Sequence, residues 1–392
     1  MAAWETDKLG DLSLKVSSGG TPLRSIPEYY ENGTIPWLKT GEVKKRVIYD
    51  TEEKITESGL ENSSAKIVPV NSVIVAMYGD GDTAGNVAIN KVPLTTNQAC
   101  CNFSLDPEKA HYRFIYFYLK GSYSNLINLK LGGSQQNLNA QSLKCFPITH
   151  PRVEAQKKIA AILSAYDDLI ENNQRRIALL EKMAEELYRE WFVRMRFPGH
   201  EQVKKVKGVP DGWSVEKLGS ILELCYGKAL KDDDRIPGEY PVYGSSGVVG
   251  THNQALVKTS GLIVGRKGNV GSVFYSDKAF YPIDTVYFVK SQLPNSFLRF
   301  LLRSMNFINN DSAVPGLNRK QAYSNQLLLP PVPLIEKFVE LIESQLEMKH
   351  ILARQNENLI AMRDQLLPRL ISGKLSVENL DIQFPPGMEE AA

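Results

Sequence analysis

The chain has 392 residues, with 46 Lys and Arg against 44 Asp and Glu, a formal net charge of +2, and 43% hydrophobic and 23% charged residues. These proportions fit a globular protein of two or three domains with sizeable cores, and a balance this close to neutral does not by itself announce a nucleic-acid binder. No run reaches the ~18 apolar residues of a membrane span, and the opening MAAWETDKLGDL has no basic stretch followed by an apolar one, so a cytoplasmic location is expected.

Residues 1–150 read as mixed helix and strand. Short β-like runs stand at SVIVAM (72–77), NVAIN (86–90) and CCNFSL (100–105), separated by Gly, Asp and Asn, and YRFIYFYLK (112–120) reads as a helix. Residues 152–192 then contain no Gly or Pro, and Pro151 and Glu154 suit a helix start. Apolar residues recur at Ile159, Ile162, Tyr166, Leu169, Ile177, Leu180, Ala184, Leu187 and Trp191, a heptad seam interrupted at Asn173. A second mixed region follows, with GLIVGRKGNVGSVFYS (261–276), TVYFVK (285–290) and a helix over 296–305. The chain closes on another long helix over 336–371, with a seam of Phe338, Leu341, Gln345, Met348, Leu352, Gln355, Leu359, Met362 and Leu366.

At ~1.5 Å per residue each long helix spans ~50–60 Å. An apolar stripe must be buried on something, and the other helix carries the matching stripe. An antiparallel intramolecular pair is expected, holding the two globular domains at opposite ends. Packing of each helix on its own domain, and homodimerisation, are the alternatives. Polar residues in both seams (Asn173, Gln345, Gln355, Asn356) would fix the register.

The chain says nearly the same thing twice. WETDKLGDL (4–12) is echoed by WSVEKLGSI (213–221), VIVAMYGDGDTAGNVA (73–88) by LIVGRKGNVGSVF (262–274), and QNLNAQSLKCFPI (136–148) by GLNRKQAYSNQLLLPPV (316–332). A period of about 180–210 residues is far beyond the ~20–50 of a solenoid unit, so a whole domain-plus-helix module is duplicated.

Charge is unevenly placed. Acidic residues gather in the helices (Asp167, Asp168, Glu171, Glu181, Glu185, Glu186), and basic residues gather in the globular parts. The candidate DNA-contacting residues follow from the basic clusters and the glycine-rich loops. In the first copy they are Lys39, Lys44, Lys45 and Arg46, then Tyr78 and Asn86 of MYGDGDTAGN, and Gln135, Gln136, Asn137 and Asn139 of GGSQQNLN. In the second they are Tyr243, Ser245 and Ser246 of YGSSGVVGTHNQ, Arg266, Lys267 and Asn269 of GRKGNVG, and Asn318, Arg319 and Lys320 of VPGLNRKQ. Glycine lets backbone approach a ligand closely, Gln and Asn suit adenine edges, and Arg and Lys suit guanine. Solvated surface charge and tight turns account for each feature taken singly; they account less well for the duplication.

Catalytic readings fare worse. GDGDTAG lacks the Lys-Ser/Thr ending of a phosphate loop, and GRKGNVG lacks dinucleotide-binding spacing. The five histidines are scattered, and Cys100, Cys101, Cys145 and Cys225 show no CxxC spacing, so buried thiols are expected rather than zinc or disulfides. Asp80 and Asp82 could pair as acid and base, but the second copy has Lys267 and Asn269 in that loop.

Together these residues resemble the specificity subunit of type I restriction-modification systems, over essentially the whole chain. The carriers are LGDLSLKVSSGGTP (9–22), IPWLKTGEV (35–43), the 137–183 segment opening with Pro151, Glu154, Gln156 and Ile159 and continuing to Leu169-Ile170-Glu171-Asn172, YPVYGSSGVVG (240–250) and RDQLLPRLISGKL (363–375). One departure is Phe338, where the first helix has Gln156. The resemblance implies an α+β chain: target-recognition domains at 1–150 and 196–332, spacer helices at 151–195 and 333–375 pairing as an antiparallel coiled coil, and a tail at 376–392. It implies that each domain reads one half of a split double-stranded DNA sequence. It also implies no catalysis, cofactor or metal on this chain. Two methylation subunits, and through them motor-endonuclease subunits, would be recruited, bringing S-adenosylmethionine, magnesium and ATP. Basic partners would supply part of the phosphate contact, which suits the near-neutral charge. The rival readings are a fused methyltransferase or nuclease, and a coiled-coil adaptor joining two proteins without reading DNA.

Overall fold

A computed structural model describes residues 4–79, 83–129, 137–305, 307 and 316–384. Asp80, Asp82, Gln135 and Gln136 lie outside the described residues. The chain forms two compact units: Met1–Asn173 with Arg354–Ala392, and Gln174–Ala353.

In the first unit a five-stranded sheet has the order Ser13–Ser18, Cys100–Leu105, Val73–Ala76, Val87–Asn90, Val47–Ile48; all neighbours are antiparallel except the last pair. A three-stranded sheet sets Ile35–Leu38 between antiparallel Glu53–Ile55 and parallel Thr95–Thr96. Glu5–Lys8 pairs with Pro147–His150. The apolar run VIVA has no polar alternation because both faces of its strand are covered. Val73 and Val75 join Phe103, Phe114 and Phe117 in the main core, while Ile74 and Ala76 join Leu38, Ile48 and Cys100 on the other side. Each such fully buried side chain stabilises by ~1.5–3 kcal/mol. The helix Tyr112–Gly121 supplies Phe114, Ile115 and Phe117 to the main core.

The second unit repeats the plan. A four-stranded antiparallel sheet runs Leu222–Tyr226, Val286–Ser291, Gly261–Gly265, Val273–Ser276. A three-stranded sheet sets Tyr240–Gly244 between antiparallel Gly247–His252 and parallel Tyr281–Pro282, and Ser214–Lys217 pairs with Gln326–Leu329. Leu262 and Val264 face one core and Ile263 the other, again two covered faces. Helix Asn295–Ser304 buries Phe297, Leu298, Leu301 and Leu302.

The first long helix runs Val153–Tyr188, 36 residues, and the second Val332–Ile371, 40 residues. Their pairing is antiparallel in each unit. In the first, Asp167 meets Arg363 and Asn173 meets Asn356. In the second, Glu181 meets Lys349 and Trp191 meets Phe338. The seam differs from the hydropathy reading at alternate steps. Leu341, Met348, Gln355 and Met362 are exposed, and their neighbours Ile342, Lys349, Asn356 and Arg363 turn inward, Lys349 only in part. In the first helix Leu169 is likewise exposed beside buried Ile170. Three of the four inward neighbours in the second helix are polar, so apolar periodicity followed the adjacent residue. They are tolerated because each finds a partner on the first helix: Asp167 for Arg363, Asn173 for Asn356 and Glu181 for Lys349.

Candidate nucleic-acid interface

The duplicated loops are built on the same main-chain contacts. Gly85 N–H donates to Ala76 C=O (2.8 Å) in one domain, and Gly271 N–H to Gly265 C=O (2.9 Å) in the other. Both glycines sit at positive φ, +85° and +76°, which a side chain would strain. Leu138 N–H donates to Met77 C=O (3.0 Å) and Leu317 N–H to Arg266 C=O (2.7 Å). Next in the chain, Asn139 Oδ1 accepts from Ser142 N–H (2.8 Å) and Asn318 Oδ1 accepts from Lys320 N–H (2.9 Å), so both asparagines cap the short helices that follow. Met77 and Arg266 therefore occupy one position of a shared scaffold, as do Asn139 and Asn318.

In the first domain most of the candidate cations are engaged within the fold. Lys39 Nζ and Arg24 reach Glu53 at 2.6 and 2.5 Å. Arg24 foremost, then Lys39, hold the Glu53 carboxyl below the usual carboxylate range. Lys45 pairs with Glu42 (2.9 Å) and Glu52 (3.2 Å), and Arg46 with Asp167 (3.1 Å). Arg46 has φ +68° and shares Asp167 with Arg363 of the second long helix. The Lys120 amine, near the same carboxylate, is pushed down to about 8, mainly by burial. Lys44 is exposed and has no ion pair among the described residues. Tyr78 is half-buried against the core, Asn86 Nδ2 donates to Thr83 C=O (3.0 Å), and Asn137 is exposed.

The second domain is different. Arg266, in a loop, and Arg319, the first residue of the helix Arg319–Ser324, both lie 5.0 Å from the ring centre of Tyr226. Arg266 also stands 5.9 Å from Tyr287 and donates from Nη1 to Asp284 C=O (2.9 Å). Arg319 stands 6.0 Å from Tyr323. Neither guanidinium has a carboxylate partner among the described residues. Burial, then a hydroxyl contact from Tyr226, pushes the Tyr287 phenol up to about 12. Lys267 Nζ is 4.0 Å from Asp284, and Lys320 and Asn269 are exposed. Ser245 and Ser246 make the turn of the hairpin; Ser245 C=O accepts from Ser272 Oγ (2.9 Å) and Ser246 is exposed.

Tyr243 departs from its reading as a surface group. It is 8% exposed and sits edge-on to Phe280 at 5.7 Å, because its side chain packs into a small core with Ile263, Phe280 and Val286. Sequence reading missed Tyr226, which is 49% exposed at the end of Leu222–Tyr226. No sequence signal marked it: the period of two set by buried Leu222 and Leu224 assigns Tyr226 to the covered face, whereas it is half-exposed at the strand end. Cys100 and Cys101 are buried and their thiols raised by burial, Cys101 to about 12, but Cys145 is exposed and Cys225 half-exposed, so only part of the buried-thiol expectation holds. No cluster of three or more metal-ligating side chains occurs among the described residues.

The family model for the type I restriction modification DNA specificity domain matches residues 1–182 and 210–354. The chain belongs to this family. It is therefore a non-catalytic DNA specificity subunit of the type I restriction-modification kind, as the resemblance implied. It is 28% identical to the type I restriction enzyme MjaIX specificity subunit of Methanocaldococcus jannaschii, over 96% of this chain and 94% of that one. It is 32% identical to the EcoR124I/EcoR124II specificity subunit of Escherichia coli, over 46% of each chain. The crystal structure of a type I restriction-modification S subunit from M. genitalium shares the fold, with a TM-score of 0.60 at 19% identity, covering 94% of this chain and 96% of that one. In this specificity chain, as in the sequence reading, α+β domains alternate with long paired helices. Among its described residues no helix is long and apolar enough to cross a membrane.

Proposed function

We propose that this specificity chain reads a bipartite double-stranded DNA target, one half-site per globular domain, and recruits two methylation subunits and, through them, restriction subunits. Residues 1–150 and 196–332 act as the readers, and 151–195 and 333–375 as the spacer. The partners supply S-adenosylmethionine, magnesium and ATP chemistry, and the assembly works where the chromosome is, in the cytoplasm. The supporting observation is the repeated scaffold: identical main-chain contacts at Ala76/Gly265 and Met77/Arg266, carrying different side chains. A conserved frame with diverged surface is what reading two different half-sites requires. A protein–protein adaptor has no need of Arg266, Arg319 and Lys320, which have no carboxylate partner among the described residues.

The candidate contacts are proposed unequally. Arg266, Lys267, Asn269, Arg319 and Lys320 in the second domain, and Lys44, Asn137 and Gln136 in the first, are the contact residues proposed. Lys39, Lys45 and Arg46 shape the loop through their carboxylates. The test is sequencing of methylated adenines in a host carrying this chain with its methylation partner. A split motif with an unread gap is expected; a continuous motif, or methylation without sequence preference, defeats the reading.

A further inference from the structure

We infer that Tyr226 is a positioning residue that presents Arg266 and Arg319 to guanine, and that this device serves one half-site only. The inference rests on the proposed reading of DNA and specifies its chemistry.

The equivalence of positions follows from hydrogen bonding. Gly19 N–H donates to Cys100 C=O (3.3 Å), and Gly227 N–H donates to Val286 C=O (3.2 Å). Ser18 is paired across the sheet with Cys101, and Tyr226 with Tyr287. Ser18 therefore matches Tyr226, and Cys101 matches Tyr287. Met77 matches Arg266 through the bonds from Leu138 and Leu317, and Ala140 matches Arg319 as the residue after each capping asparagine. Where the second domain places two tyrosines and two arginines, the first places Ser18, Cys101, Met77 and Ala140. At these four positions the frame is common and the cationic aromatic cluster is not.

The cluster is suited to a base edge. A phosphate contact tolerates a mobile cation, whereas a guanine O6/N7 edge needs a guanidinium fork held in one orientation. Arg266 is held by the Asp284 carbonyl and by Tyr226, and Arg319 by Tyr226 and Tyr323. Neither guanidinium is spent on a carboxylate among the described residues, so both charges stay available to an anionic, acceptor-rich surface.

The experiment uses the chain assembled with its methylation partner. Adenine-methylation sequencing first gives the motif, and at least one guanine is expected in the half read by the second domain. Duplexes carrying 7-deazaguanine there, which lacks the N7 acceptor, should bind the wild-type complex about tenfold or more weakly. Binding by the Arg266→Ala and Tyr226→Ala complexes should be indifferent to that replacement, with the other half-site still read. Tyr226→Phe, which keeps the ring, should restore discrimination, and thermal melting of each complex identifies any variant that has merely unfolded. A wild-type motif without guanine in that half, or Tyr226→Ala discriminating as well as wild type, overturns this inference and leaves bipartite reading intact. Absence of a split motif in the wild type overturns the reading beneath it.

Discussion

Gln156 and Phe338 stand five residues after Pro151 and Pro333, and each is fully buried, yet they close their domains by opposite means. Gln156 accepts from His111 N–H (2.8 Å) and donates to the carbonyls of Lys109 (3.1 Å) and Pro151 (2.9 Å). Phe338 instead meets Phe192 at 5.0 Å and Tyr188 and Trp191 at 6.0 Å, ring centre to ring centre. Phe338→Ala should cost ~3–5 kcal/mol, read as a lowered urea midpoint. His111 gives a pH signature. Burial first, then Arg113, Lys157 and Lys91, hold its imidazole down to about 4, so the folded chain keeps it neutral. The unfolded chain takes up that proton below ~6.5, so the His111 contribution falls as pH drops from about 6.5 towards 4 and is absent above that window. His111→Gln should flatten urea midpoints measured between pH 7 and 5; an unchanged acid slope would contradict it. The departure at Phe338 was legible as a sequence difference. Its reason was not, because the surrounding rings come from the far end of the other helix and from Phe297 and Phe300, distant in sequence.

The long helices show what periodicity does and does not report. Their existence and antiparallel pairing follow from apolar spacing, supported in the first helix by the absence of Gly and Pro; the second carries Pro333 in its first turn and Pro368 in its interior. The seam itself was displaced by one residue at alternate steps, because Lys349, Asn356 and Arg363 face inward and hydropathy assigns such residues to water. Asn173 breaks the heptad in sequence and is 2% exposed in the fold, where its Nδ2 donates to Asn356 Oδ1 at 3.0 Å. Asn356 in turn donates to Ile170 C=O at 3.3 Å. Replacing either asparagine alone by leucine strands the other amide and should cost ~1–3 kcal/mol. The double replacement should recover most of that loss while weakening register selection. A double-mutant cycle by chemical denaturation checks this: additive losses would mean that the two amides are not coupled. Glu181 makes the corresponding contact in the second unit. Burial works against its carboxylate, and Lys349 and Arg299 (2.8 Å) overturn that and hold it below the usual range.

For the whole molecule, duplication supplies one frame twice, and divergence fills it differently. The frame was legible as the repeated WxxxKLG, glycine-loop and LN segments, and the capping role of Asn139 and Asn318 explains why LN recurs. The distribution of usable charge was not legible. Lys39, Lys45 and Arg46 look like a basic patch in sequence, but their carboxylates come from Glu53, Glu42, Glu52 and, across the fold, Asp167. Asp167→Asn should free Arg46, steepen the salt dependence of DNA binding by the assembled complex and leave the motif unaltered; a salt slope equal to wild type would count against the neutralising role. The most direct test of the account is exchange of residues 1–150 for the corresponding domain of a relative with a known target, followed by adenine-methylation sequencing. One half of the motif should change while the other half and the gap persist. A change in both halves, or in neither, would contradict it.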